Sequence, residues 1–157
     1  MLKKPSIQED RRLEILGILL LAISVFIFIS LLGWNQGEDY SKIGPNAKIT
    51  NPMGQLGVLV SWIFIKLGFG YASFMLPALG LFWGWVFFSK IDKEHPIKVT
   101  LYSCLFMTLL SISVGVISIQ YDIGPSKFHY SGVLAGLMAD LAIDMFSIYG
   151  CVLFLIA

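Results

Sequence analysis

The sequence predicts an all-α membrane protein: four spanning helices in two like, parallel units, each with a further helix at one membrane surface. Three observations predict it. Of 157 residues, 57% are hydrophobic and only 13% charged, with a mean hydropathy of +0.79, whereas ordinary globular chains carry about 25% charged residues. Several uncharged stretches approach or exceed the length of about 20 residues that a bilayer crossing needs. One loop-and-helix pattern also occurs twice, at an offset of 80 residues. A folded chain of this size leaves roughly a third of its surface exposed, so this much apolar surface cannot be hidden from water. A soluble enzyme and a disordered tail are both excluded, and a net charge of +1 gives no footprint for nucleic acid.

Residues 1–12 are polar and carry Lys3, Lys4, Arg11 and Arg12; residues 13–157 form the membrane domain. The first span is expected at about 13–34, within the uncharged run from Ile15 to Gly37. That run exceeds a secretory h-region, and no small-x-small cleavage site follows Leu32, so it reads as a retained anchor. The second span, about 68–89, comes from the uncharged run Leu67 to Ser89, with Pro77 expected to kink it. The third, about 98–119, lies within Val99 to Tyr121. The fourth, 146–157, has an uncharged run of only 13 residues from Met145 to Ala157 and is expected to be incomplete, as in a truncated chain.

Basic residues in short loops set orientation. Lys3, Lys4, Arg11, Arg12, Lys90, Lys93 and Lys98 fall on one side, against Lys42, Lys48, Lys66 and Lys127 on the other. This places the N-terminus in the cytoplasm. The aromatics agree: Trp34 closes the first span, and Phe82, Trp83, Trp85, Phe87 and Phe88 crowd the end of the second before Lys90, at headgroup level where such rings concentrate.

The repeat is carried by Ile43-Gly44-Pro45 and Ile123-Gly124-Pro125, each leading through an apolar stretch to an aromatic-glycine pair, Phe69-Gly70 and Tyr149-Gly150. A continuous helix from Gly54 to Ser89 would measure roughly 54 Å at 1.5 Å per residue, too long for a membrane, so Gly68-Phe69-Gly70 is expected to break it. Tyr149-Gly150 is the matching bend. Because each unit crosses twice, the copies share one orientation and are related by an axis along the membrane normal. Gly57-x3-Ser61 and Gly132-x3-Gly136 are small-x3-small patterns that let helices approach closely.

Little in the chain could carry chemistry. It has no Gly-x4-Gly-Lys-Ser/Thr phosphate loop and no nucleophile–base–acid set. His95 and His129 fall in opposite connections and cannot share a metal. Cys104 and Cys151 lie in apolar runs, without disulfide or metal spacing, and read as small packing residues. No catalytic, cofactor or metal site is expected. The best polar candidates are Asp140 and Asp144, on one helix face with Gly132 and Gly136. Carboxylates near the hydrocarbon are costly and often functional; the alternative is that they mark the solvent face of a surface helix.

Several stretches carry a family resemblance: Gly33-Trp34-Asn35, Ile43-Gly44-Pro45, Asn51-Pro52-Met53-Gly54-Gln55-Leu56-Gly57, Phe69-Gly70-Tyr71 with Leu76-Pro77, Leu81-Phe82-Trp83-Gly84-Trp85, and Gly132-Val133-Leu134-Ala135-Gly136. In this order they resemble the N-terminal four-helix membrane domain of the FtsK/SpoIIIE DNA translocases, from about Arg12 to Ala157. The resemblance implies an anchor in the bacterial inner membrane at the division septum, serving cell division and chromosome partition. It implies divisome membrane proteins and the lipid bilayer as partners, and a homo-oligomer whose hexameric form is set by a cytoplasmic ATPase motor. That motor and its DNA-reading end lie outside this sequence, so no catalytic residue, cofactor or direct nucleic-acid site carries over. The competing reading is a small polytopic transporter or channel subunit using Asp140 and Asp144.

Overall fold

The computed structural model describes residues 7–37, 40, 49–89, 94–124 and 126–156. The basic residues Lys3, Lys4, Lys42, Lys48, Lys90 and Lys93, together with Gly44, Pro45 and Pro125 of the repeated loop, lie outside the described residues. Within them the chain is helical, with no strand. Helix α1 runs Ile7–Leu32, α2 Gly54–Ser61, α3 Met75–Ser89, α4 Glu94–Tyr121 and α5 Gly132–Ile156. Between α2 and α3 lie a π-helical segment, Trp62–Phe69, and a 3-10 segment, Gly70–Phe74.

Among the described residues four stretches are long and apolar enough to cross a membrane: Arg11–Leu32, Gly54–Ser89, Glu94–Tyr121 and Gly132–Leu153. The protein is a multi-pass membrane protein. Its side chains are arranged as lipid requires. Tyr149, Met145, Leu153 and Leu101 are each at least two-thirds exposed, while Ser24, Ser30, Ser61, Ser73, Ser111, Ser118 and Ser131 are buried. Lipid tails are as apolar as leucine, so helices associate through small residues and hydrogen bonds instead of through large apolar side chains. Ser24 and Ser30 accordingly donate to the carbonyls of Leu20 and Phe26, one turn back on α1.

The first unit is α1 packed antiparallel on α3. Gly17 lies against Phe87 and the Gly84 carbonyl, Gly80 lies against Ser24, and Phe28 meets Phe74 edge to face at 6.0 Å. The helix between them takes another course. Asn51, just before α2, bonds to Ser30, and Phe74, just after the 3-10 segment, meets Phe28, so both ends return to nearly one level of α1. In between, α2 packs on α1, the π segment runs against α5, and the 3-10 segment brings the chain back. The break falls at Gly68, which is non-helical inside the π segment, followed by Gly70 at φ +61°, at the Gly68-Phe69-Gly70 run where the length argument places it.

The expected kink at Pro77 is absent for a physical reason. α3 starts at Met75, so Pro77 sits in its first turn, where a missing N–H breaks no helical bond.

The second unit, α4 and α5, repeats the first. α5 opens on Gly132 at φ +75°, as α2 opens on Gly54 at φ +64°. Its break is at Ser147, with φ 57° and ψ 168°. This corrects the expected bend at Tyr149-Gly150: Gly150 lies within the helix beyond the break. The breaks of the two units still correspond within one residue of the 80-residue offset. Beyond Ser147, Cys151 and Leu155 pack with Ile112 and Val116 of α4, as do Ala139 and Ala142 before it. The stretch from Gly132 is thus two helical pieces that meet at Ser147, one residue from position 146, where the fourth span is expected to start. At the end of the bundle that holds the α1 N-terminus, Trp83 Nε1–H donates to Thr100 Oγ1 at 2.7 Å, and that hydroxyl donates to the Pro96 carbonyl at 2.9 Å, tying α3 to α4.

Candidate functional site

The break of the first unit meets the start of α5 in the second unit, backbone to backbone. Broken helices free carbonyls, and in a bilayer each unsatisfied one costs several kcal/mol. Here serines satisfy them. Ser73 Oγ donates to the Phe64 carbonyl at 2.6 Å. Ser111 Oγ, from the middle of α4, lies 2.7 Å from the Phe69 carbonyl of the first unit and 2.9 Å from the Ser131 carbonyl of the second. The Tyr71 N–H donates to the Tyr130 carbonyl at 3.2 Å. Both glycines at this crossing are there for space. A Cβ on Gly70 would overlap the Tyr130 carbonyl oxygen, and one on Gly132 would overlap the Gly68 carbonyl and lie 2.8 Å from the Ile65 oxygen.

A second fixed point is Asn51, only 5% exposed. Its side-chain amide donates to the Ser30 carbonyl at 2.9 Å, and its Oδ1 accepts from the Met53 N–H at 3.0 Å. Ser30 is among the last carbonyls of α1, which lack intrahelical partners, so Asn51 caps α1 while opening the turn into α2. Gly33 and Gly57 both lie against this side chain.

Of the residues singled out from sequence, Gly70 and Gly132 come together at the crossing. Gly136 packs under the Phe128 ring, not against another helix. Gly124, at φ +107°, is exposed in the turn after α4. Pro77 is buried at the start of α3. Asp140 receives a two-pronged ion pair from Lys127, whose Nζ is 2.8 Å from both carboxylate oxygens. Asp144, one turn further, is exposed. The pair ties the connection before α5 to the flank of α5, and neither carboxylate lines an interior path among the described residues. With Lys127 51% and Asp140 34% exposed, solvent screening keeps such a pair below about 1 kcal/mol. Asp140→Asn is therefore expected to leave the melting temperature almost unchanged. A double-mutant cycle with Lys127→Gln is expected to give a coupling within that bound.

His95 is exposed on the first turn of α4. His129 lies at the opposite end, where its ring meets the Gln36 side-chain amide and the edge of Tyr130. Among the described residues no group of three or more His, Cys, Asp or Glu is placed to hold a metal ion. Cys104 and Cys151 are both free thiols. Sequence reasoning missed Asn51 and Ser111 as bridging residues. The available signal was a polar side chain before Pro52 and a serine in the middle of an apolar span.

The family described as the 4TM region of DNA translocase FtsK/SpoIIIE matches residues 9–157. The curated protein DNA translocase FtsK of Vibrio vulnificus (strain CMCP6) is 29% identical over 148 residues, which cover 90% of this chain and 14% of that protein. No solved structure matches.

Proposed function

This chain belongs to the 4TM region of the FtsK/SpoIIIE DNA translocases, and on that premise we propose that it anchors such a translocase in the bacterial inner membrane at the division septum. There it helps to assemble the division machinery through contacts with other septal membrane proteins. The chain spans 14% of the length of the curated relative, so ATP-driven DNA transport, chromosome partition and hexamer formation are roles of a longer protein to which this region contributes the anchor. The observation that carries the reading is the extent of the match, residues 9–157. Arg11, Arg12 and Lys98 at the α1 N-terminal end support a cytoplasmic placement of that end.

The test is imaging of the chain carrying a fluorescent tag on its N-terminus, in dividing cells depleted of their own translocase. The expected result is a band at the constriction and relief of the division block without any motor. Uniform fluorescence around the envelope, with cells still filamentous, would contradict the assembly role.

A further inference from the structure

The junction between the two units is one-sided. Gly132, which opens α5, lies on the break of the first unit: a Cβ there would meet the Gly68 carbonyl, the Gly70 nitrogen and the Ile65 carbonyl. Gly54 opens α2 with a similar positive φ, +64°, yet among the described residues a Cβ on it meets nothing within 4 Å. The breaks differ in the same sense. Ile65 is 1% exposed, whereas Met145, its counterpart at the repeat offset of 80, is 75% exposed, and Tyr149 beside the second break is 85% exposed. Gly70 is buried against the Tyr130 carbonyl. Among the described residues a Cβ on Gly150, its counterpart, would meet only Phe146, one turn back on its own helix.

Each unit thus has a start and a break, and the chain joins one start to one break. Two units related by a twofold axis would join both pairs at once. A head-to-tail contact instead leaves one start and one break unused, and it extends to a further unit, closing into a ring or running on as a filament. The step is compatible with a bilayer, because α1 and α4 both begin at the end where Trp83 meets Thr100, so repeating it keeps every residue at its depth. We propose that a second copy of this chain seats its α2 start, around Gly54, on the Ser147 break of the first, repeating between copies the junction that the chain makes within itself. The Ser147 break is exposed, and backbone groups freed by a break are costly when they face lipid. The α2 start would cover them as the α5 start covers the break at Gly68. This contact goes beyond the anchor role and does not depend on placement at the septum.

The test is cross-linking in membranes that hold two differently tagged forms of the whole chain, both with Cys104 and Cys151 changed to alanine. One form carries Gln55→Cys, beside Gly54, and the other Met145→Cys; both positions are exposed in the single chain, so folding is not at stake. Phe106→Cys is the control, at a site 56% exposed and outside both surfaces. With a short bismaleimide the Gln55→Cys and Met145→Cys pair is expected to give roughly tenfold more mixed dimer than Phe106→Cys with Met145→Cys, since docking raises the effective concentration of the two thiols above that of chance encounters. A chain carrying both Gln55→Cys and Met145→Cys is expected to give a ladder that continues past the dimer. Mixed dimer no more abundant than in the control overturns the proposal and leaves lipid or a different protein over the break. A doubly substituted chain whose ladder stops at the dimer overturns the head-to-tail arrangement.

Discussion

Gly70→Ala is expected to destabilise the bundle by about 3 kcal/mol or more, a large share of the 5–15 kcal/mol that holds a typical domain together. Two costs combine. Gly70 has φ +61° and ψ −141°, a backbone region used essentially by glycine alone, where a residue with a side chain pays of order 1–3 kcal/mol. The added Cβ would also overlap the Tyr130 carbonyl oxygen, and overpacking of a close contact costs about 1–3 kcal/mol. The Tyr71–Tyr130 backbone bond lies at the same contact and would stretch with it. Gly54 provides the internal control. Its φ is +64°, but a Cβ there meets nothing within 4 Å. Gly54→Ala is therefore expected to cost only the conformational part, about 1–2 kcal/mol. Denaturation of the purified protein in mixed micelles, followed by tryptophan fluorescence, compares the two. Equal losses would mean that the units do not touch at Gly70.

Asn51→Leu is expected to cost about 2 kcal/mol or more, because a buried residue loses two hydrogen bonds at once and strands their partners. The Ser30 carbonyl loses the amide donor and the Met53 N–H loses its acceptor. Leucine keeps the branched outline of asparagine but is bulkier, so overpacking against Gly33 and Gly57 adds to the lost hydrogen bonds. Asn51→Asp separates the two bonds. The carboxylate still accepts from Met53 but faces the Ser30 carbonyl with no proton to give, so it too is expected to melt early. Ser61→Ala is the comparison. Ser61 Oγ donates to the Val58 carbonyl within its own helix, so its loss leaves the units' mutual contacts in place. A melting curve for Asn51→Leu that overlays that of Ser61→Ala would contradict the capping role.

Much of this architecture was legible in residue order because lipid imposes a simple rule. An uncharged run of sufficient length has to cross, and Arg11, Arg12 and Lys98 mark where runs stop. The break at Gly68-Phe69-Gly70 followed from length alone, since no single helix from Gly54 to Ser89 fits the bilayer. The matching break was harder to see. Ser147 takes φ 57° without being glycine, while Gly150, the residue that looks permissive, remains helical. Pro77 misled for a related reason: whether proline bends a helix depends on its distance from the helix start, and that start at Met75 is set by the packed 3-10 turn before it.

The polar contacts were least legible. Lys127 and Asp140 pair across 13 residues, Gln36 and His129 across 93, and Ser111 lies within reach of carbonyls of both units. These pairings are products of the fold, and no local spacing announces them. Asp140 and Asp144 share a helix face as their four-residue step requires, but which way that face points depends on the crossing at Gly132.

The two connections within the units, α1 to α2 and α4 to α5, should lie on one face of the membrane, since each unit goes across and returns. Single cysteines placed at Arg12, Gln36, Glu94 and Ser126, with Cys104 and Cys151 changed to alanine, can be probed with a membrane-impermeant maleimide on sealed vesicles of one orientation. Gln36→Cys and Ser126→Cys should react from one side together, and Arg12→Cys and Glu94→Cys only from the other. Reaction of Gln36→Cys and Ser126→Cys from opposite sides would contradict the two-unit, four-crossing arrangement.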